Sequence, residues 1–117
     1  LDIKALPEHY GQVVGRANAA AKAWESLEVL IEAAGRGGPD FEVRTTVVPG
    51  DVTADDAVEV ARRVRAAGAR VYALQQARSE GTSGEFDVVA PGWDGMCERM
   101  AERIEALGWD RFTYRPA

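Results

Sequence analysis

Arg44 is a charged residue in a stretch that is otherwise typical of a buried strand. It lies in the stretch E-V-R-T-T-V-V-P-G, from Glu42 to Gly50. The branched residues of this stretch favour a strand, and the Pro-Gly pair ends it. A guanidinium in a strand that is predicted to be buried is unfavourable unless an anion meets it. The sequence therefore predicts a carboxylate or another anion beside Arg44.

Asp2 and Lys4 form a second candidate pair, near the start of the chain. The alternation L-D-I-K-A, which stops before Pro7, predicts a short strand with both charged side chains on one face. The pattern leaves two interpretations open. One is a solvated edge strand with an ion pair that adds little stability, which is the commoner arrangement. The other is a charged pair that lines a cavity.

Gln75 and Gln76 end the next predicted strand, R-V-Y-A-L-Q-Q, which starts at Arg70. Its nearly continuous apolar character is typical of a strand that is covered on both faces. Ligands of α/β proteins bind at the carboxyl ends of such strands. The two side-chain amides are therefore candidate hydrogen-bonding groups for a ligand.

Four further residues with reactive or titratable side chains are predicted to have structural roles. His9 lies in a turn-rich loop, where a lone histidine is usually a surface residue. Asp55 and Asp56 fall in the first turn of a predicted helix, where the helix dipole favours acids, and Thr53 with Asp56 resembles a capping box. Cys97 is predicted to be a small buried hydrophobic residue.

Composition limits the class of protein. The chain has 117 residues, of which 46% are hydrophobic and 28% charged, and this predicts one globular domain over residues 1–117. The net charge of −5 argues against a nucleic-acid partner, and no apolar run is long enough for a membrane span. A single cysteine excludes an internal disulfide or cysteine-rich metal site and fits a reducing, cytoplasmic compartment. Because the chain begins without Met, inside a predicted strand, we expect a fragment of a longer protein.

Helical periodicity separates the predicted strands. The order strand, helix, strand, helix, strand, helix, strand implies parallel strands joined by right-handed crossovers. The predicted fold class is α/β with about four strands and three helices, arranged as an open sheet or as part of a closed barrel. The helices are predicted over 18–34, 54–67 and 94–107, the last strand over 111–115, and the buried row of the third helix comprises Met96, Met100, Ile104 and Leu107.

Three motifs, each at a strand position, resemble one family when they are taken together. They are Asp2-x-Lys4, the string R-T-T-V-V-P-G that begins at Arg44, and the string L-Q-Q-A-R that runs from Leu74 to Arg78. The chain resembles the radical S-adenosylmethionine enzymes that activate glycyl-radical enzymes. The branch that activates anaerobic ribonucleoside-triphosphate reductase is the most similar, and the pyruvate formate-lyase activating branch is the near alternative.

The resemblance implies a partial (β/α) TIM-type barrel, of which this chain would be the C-terminal half. The N-terminal half in that family carries a Cys-x-x-x-Cys-x-x-Cys loop, which ligates a [4Fe–4S] cluster with S-adenosylmethionine on its unique iron. The parent would generate a 5′-deoxyadenosyl radical that abstracts hydrogen from a glycyl-radical enzyme, which is the implied partner. Because this chain contains no such loop, the resemblance implies that it is inactive alone.

The same resemblance implies roles for four residues of this chain. Asp2 and Lys4 would hold polar groups of S-adenosylmethionine or an ion beside it. The resemblance therefore favours the interpretation that this pair lines a cavity over the interpretation that it is a solvated ion pair. Arg44 would meet the methionyl carboxylate or a neighbouring acid. Gln76 is the candidate for a ribose contact, because Ala77 stands where the pyruvate formate-lyase branch carries a histidine.

Two alternatives from other functional classes stay open. One is a self-standing α/β module that binds a small ligand at the strand ends near Pro49 and Gln76. The other is a half-barrel that pairs with itself, because half of a barrel exposes strand edges that favour homo-oligomers.

Overall fold

The computed structural model of the chain describes residues 1–12, 17–77 and 91–117. No helix in these ranges is long and apolar enough to cross a membrane. Helices and strands alternate along them as the periodicity predicts. In chain order the elements are a 3-10 turn (Pro7–Gln12), α1 (Ala17–Gly35), β1 (Val43–Val47), α2 (Val52–Ala67), β2 (Val71–Gln76), α3 (Trp93–Glu105) and β3 (Arg111–Arg115).

The three strands form one parallel sheet in the order β1-β2-β3. This confirms the α/β class with parallel strands and three helices, whereas the TIM-type half-barrel stays a prediction. The prediction of a fourth strand at the N-terminus was wrong, because Asp2 forms only one isolated bridge with Arg44. The segment turns away from β1 at Leu6, whose amide donates to Asp56 on α2, and the following Pro7 has no amide hydrogen for a ladder.

All three helices pack against the same face of the sheet. Strands that follow one another in sequence and are joined by right-handed crossovers require this arrangement. Alternate residues of β1 are buried, and in register with them lie residues of β2 that also enter the core. On this helix-covered face the strands contribute Val43, Thr45, Val47, Tyr72, Leu74, Gln76, Phe112 and Tyr114.

The start of α2 differs from the predicted capping box. The N-cap residue is Asp51, whose carboxylate accepts a hydrogen bond from the amide of Thr53 at 3.2 Å. Asp56 is not a capping residue, because its carboxylate is buried and directed toward residues 6 and 9. The predicted C-terminal glycine is confirmed: Gly68 follows the helix with φ of 122°.

The buried row of α3 agrees with the prediction in part, because Ile104 is fully buried and Met100 and Leu107 pack against the core. Met96 is 47% exposed, whereas Cys97 is fully buried, which confirms the expectation for the thiol but not for Met96. The helix begins at Trp93, whose indole is buried, and this residue rotates the buried row away from Met96. The residues that α3 buries are Trp93, Cys97, Ala101 and Ile104.

Candidate functional site

The face of the sheet opposite the helices, called the open face below, is the candidate site. No described helix covers it. It carries four basic and two acidic side chains, although the whole chain has a net charge of −5. The open face consists of Asp2, Lys4, Glu42, Arg44, Thr46, Val71, Ala73, Gln75, Arg111, Thr113 and Arg115.

Asp2, Lys4 and Arg44 converge at one edge of the open face. The ammonium of Lys4 donates to Asp2 Oδ2 at 2.7 Å, and both side chains are partly exposed. Asp2 Oδ1 is buried and has no hydrogen-bond partner among the described residues. Asp2 and Arg44 are bridge partners, so their side chains leave the backbone side by side. The structure therefore brings together three of the four residues that the motifs single out.

The prediction of a buried strand around Arg44 holds for one face only, because β1 buries Val43, Thr45 and Val47 whereas Arg44 is exposed. Because water solvates the guanidinium, the fold itself does not require an anion there. Within the described ranges no ion pair joins Arg44 to another residue. The bridge places the side chain of Arg44 next to that of Asp2, so the two residues offer a ligand a cationic donor and a buried acceptor oxygen.

Gln76 does not lie with these three residues. Its side chain is on the helix-covered face, where Nε2 donates to the hydroxyl of Tyr114 at 2.7 Å and to Asp94 Oδ1 at 3.2 Å. Gln75, one position earlier, is the glutamine that shares the open face with Arg44. The last residue of the third motif, Arg78, lies outside the described residues.

An ion pair across the open face had no signal in the sequence. The guanidinium of Arg115 lies 3.3 Å from Glu42 Oε1, although the two residues are 73 positions apart. Arg115 is in register with Gln75 near one end of the sheet, whereas Glu42 precedes β1 at the other end. The pair therefore runs diagonally above Ala73, which is fully buried. Both side chains are partly exposed, so the pair adds little stability and can open.

Thr45 and Tyr72 attach the N-terminal segment to the sheet from the helix-covered face. The hydroxyl of Thr45 donates to the carbonyl of Ile3 at 2.7 Å and lies 2.5 Å from the hydroxyl of Tyr72. Because Thr45 uses its hydrogen on Ile3, Tyr72 is the donor within this pair. Burial raises the pKa of Tyr72, which therefore stays protonated and keeps the hydrogen bond.

Two side chains that the sequence predicted to have no partner role are in contact. His9 Nδ1 lies 2.9 Å from Asp56 Oδ2, and the side chain of Asp56 is only 6% exposed. The side chain of His9 is at the surface as predicted, with 40% of it exposed, but its contact with Asp56 was not predicted. The pair joins the segment that follows Asp2 and Lys4 to α2.

Cys97 is the only thiol of the chain and is predicted to be unreactive in the folded state. Burial, together with the negative charge of Asp94, raises its pKa to about 11. The thiol of an unfolded chain has a pKa of about 8.5, so the folded state favours the protonated form. This contribution to stability is complete below pH 8 and is lost as the pH rises toward 11. At pH 8 we expect an aromatic disulfide reagent to label native Cys97 at least about 100-fold more slowly than the unfolded chain, and equal rates would contradict this placement.

The described residues offer no group of three His, Cys, Asp or Glu side chains that could hold a metal ion. The comparisons with known proteins add no identification. No protein-family model, no curated protein and no solved structure matches this chain.

Proposed function

We propose that this chain supplies part of the S-adenosylmethionine-binding wall of a radical enzyme that activates a glycyl-radical enzyme. The proposal is supported by one observation above the others. Asp2, Lys4 and Arg44 come from two motifs that are 40 residues apart, and they meet on one exposed sheet face. A chance match to two motifs has no reason to bring their charged residues together.

The chemistry of the three side chains matches the amino-acid end of this ligand. A guanidinium can bind a carboxylate with two parallel hydrogen bonds, which assigns the methionyl carboxylate to Arg44. Asp2 Oδ1 is a buried acceptor without a donor, so the methionyl ammonium, or a cation beside the ligand, would satisfy it. Lys4 holds the other oxygen of the same carboxylate in place.

The ribose contact is proposed at Gln75 rather than Gln76. The amide of Gln76 is bonded to Tyr114 and Asp94 under α3, on the wrong side of the sheet for this ligand. Gln75 is half-buried on the open face at the carboxyl end of β2. Its amide can donate to one hydroxyl oxygen and accept from another.

The residues of this chain do not fit a [4Fe–4S] cluster. A cluster of this kind needs three cysteines in the family motif, and the chain has one, which is fully buried on the helix-covered face. The proposal therefore gives this chain only binding and orientation. Reductive cleavage of the sulfonium, which starts the chemistry of the family, would depend on another part of the parent protein.

Direct titration of the chain with S-adenosylmethionine tests the proposal. We expect saturable binding, weakened about ten-fold by Asp2→Asn, because the amide cannot offer a charged acceptor to the methionyl ammonium. Asp110→Asn is the matched control, since Asp110 is exposed at the opposite edge of the sheet. Equal affinities of the two variants, or no binding by a chain with a native circular dichroism spectrum, would refute this role.

A further inference from the structure

Side chains, rather than strand pairing, hold the N-terminal segment in place. Residues 1–9 have a single bridge to β1, yet Ile3, Ala5 and Leu6 of this segment are buried. Two carbonyls of the segment accept side-chain donors. The hydroxyl of Thr45 donates to Ile3, and the indole of Trp24 donates to Ala5 at 3.3 Å. A segment with so few backbone ladder bonds depends on such contacts for its position.

Asp56 makes the most buried of these contacts. The residue is 5% exposed. One carboxylate oxygen accepts the amide of Leu6 at 3.0 Å, and His9 Nδ1 lies 2.9 Å and 3.0 Å from the two oxygens. A buried carboxylate is strongly destabilising unless it is hydrogen-bonded. Within the described residues, both hydrogen-bond partners of Asp56 belong to the N-terminal segment, so the burial of this acid is favourable only while the segment is docked.

A second contact, between Glu8 and Arg63, is weaker. The two guanidinium nitrogens donate to the two carboxylate oxygens at 3.0 Å each, and Arg63 lowers the pKa of Glu8. Both side chains are largely exposed, and exposed ion pairs contribute little to stability. The contact therefore orients the turn without holding the segment by itself.

We propose that Asp56 is a positioning residue for the site on the open face. With His9 it forms a clamp that holds residues 1–9 against β1, so that Asp2 and Lys4 stay beside Arg44. Opening of the clamp removes the contacts with Asp56 and leaves the segment with its bridge to Arg44, the hydrogen bonds from Thr45 and Trp24 and its buried side chains. The inference rests on the proposed function only for the identity of the ligand, S-adenosylmethionine.

The clamp and the ligand site are then coupled. If loss of the clamp weakens ligand binding by some factor, ligand binding must favour the docked segment by the same factor. Asp56 lies on α2 and faces away from the ligand, so this coupling passes through the segment between Asp2 and Leu6. A residue with only a local structural role would show no such reciprocity.

Amide hydrogen exchange followed by NMR tests the clamp without any ligand. In Asp56→Ala, we expect at least about ten-fold faster exchange at the amides of Leu6 and Ile3, equivalent to ~1.4 kcal/mol. The amide of Ile3 is the informative one, because its own acceptor is the carbonyl of Arg44 and is unchanged by the substitution. Asp55→Asn is the matched control, since Asp55 is the exposed neighbour on the same helix.

A folding control and a second variant complete the exchange experiment. Exchange at the central core amide of Leu74 reports whether the variant is still folded. Asp56→Asn keeps an acceptor for the amide of Leu6, so it should retain part of the protection of the Ile3 amide. If Asp56→Ala does not fold, Asp56→Asn takes its place in the experiment. Faster exchange confined to Leu6, with Ile3 unchanged, would overturn the proposal.

Titration with S-adenosylmethionine then tests the coupling. The affinity of Asp56→Ala should fall, at most by the factor by which saturating ligand lowers the opening equilibrium at Ile3 in the unsubstituted chain. An unchanged affinity in a variant with an undocked segment would overturn the positioning role. If the unsubstituted chain binds no ligand while the exchange results hold, the proposed function fails and the clamp stands.

Discussion

Ile104→Ala is expected to lower the free energy of unfolding by about 2–5 kcal/mol. The side chain is fully buried between α3 and the helix-covered face of the sheet. Removing it takes apolar surface out of the core and leaves a cavity that the neighbouring strands cannot fill without moving. Urea denaturation followed by circular dichroism measures this loss, with a fall in the midpoint at an unchanged slope.

Met96→Ala on the same helix is the matched control. Because the side chain of Met96 is 47% exposed, its truncation should change the free energy of unfolding by no more than about 0.5 kcal/mol. Equal losses for the two variants would mean that α3 presents the methionine row to the core, which is the orientation that periodicity alone predicts. The loss of unfolding free energy in Met96→Ala thus distinguishes the observed orientation of α3, in which Met96 is exposed, from the predicted one, in which it is buried.

Arg44→Gln should weaken binding of S-adenosylmethionine by about 10–150-fold, with little change in the stability of the free chain. A hydrogen bond to a charged group contributes about 1.5–3 kcal/mol, and glutamine cannot reproduce the paired, charged donors of a guanidinium. Stability should be retained because Arg44 is exposed and no ion pair of the described fold depends on it. Calorimetric titration of both forms gives the ratio of dissociation constants.

Arg111→Gln separates a specific contact from the general charge of the open face. Arg111 is an exposed arginine on the same face, but it lies on β3, which β1 and β2 separate from Asp2 and Lys4. Removing its charge should weaken binding by less than about three-fold at physiological salt, because screening limits the reach of exposed charges to ~8 Å. Similar losses for the two arginines would place the ligand elsewhere or show that only net charge matters.

Local sequence was sufficient to predict the elements and their order. The branched run around Thr45 and the Pro-Gly pair define β1, and apolar periodicity places each helix within a few residues of its observed bounds. It was also sufficient to put Asp2 and Lys4 on one face, since alternation along an extended segment needs no tertiary information. The chemical content of the site, an acid, an amine and a guanidinium, is therefore visible in the sequence.

Tertiary structure decided which faces are covered. The apolar content of β2 predicted a strand buried on both faces, and its residues are buried except for the half-buried Gln75. All helices nevertheless pack on one side of the sheet, and Arg44 of β1 lies in solvent. The same distinction separates Gln75 from Gln76, because adjacent residues of a strand point to opposite faces and only the helices reveal which face is open. In α3, the burial of Trp93 moved the core row from Met96 to Cys97.

Contacts between distant segments were beyond any local pattern. Asp56 has the sequence context of a helix-starting acid and His9 that of a loop residue, and 47 positions separate them. Their pairing follows from the place where the N-terminal segment crosses α2. The sequence by itself thus determined the strands, the helices and the charged groups on each strand face, because these depend on neighbours within a few residues. Only the tertiary structure decided that Asp56 holds the segment and that three charges meet on one uncovered face, because both depend on how the helices pack against the sheet.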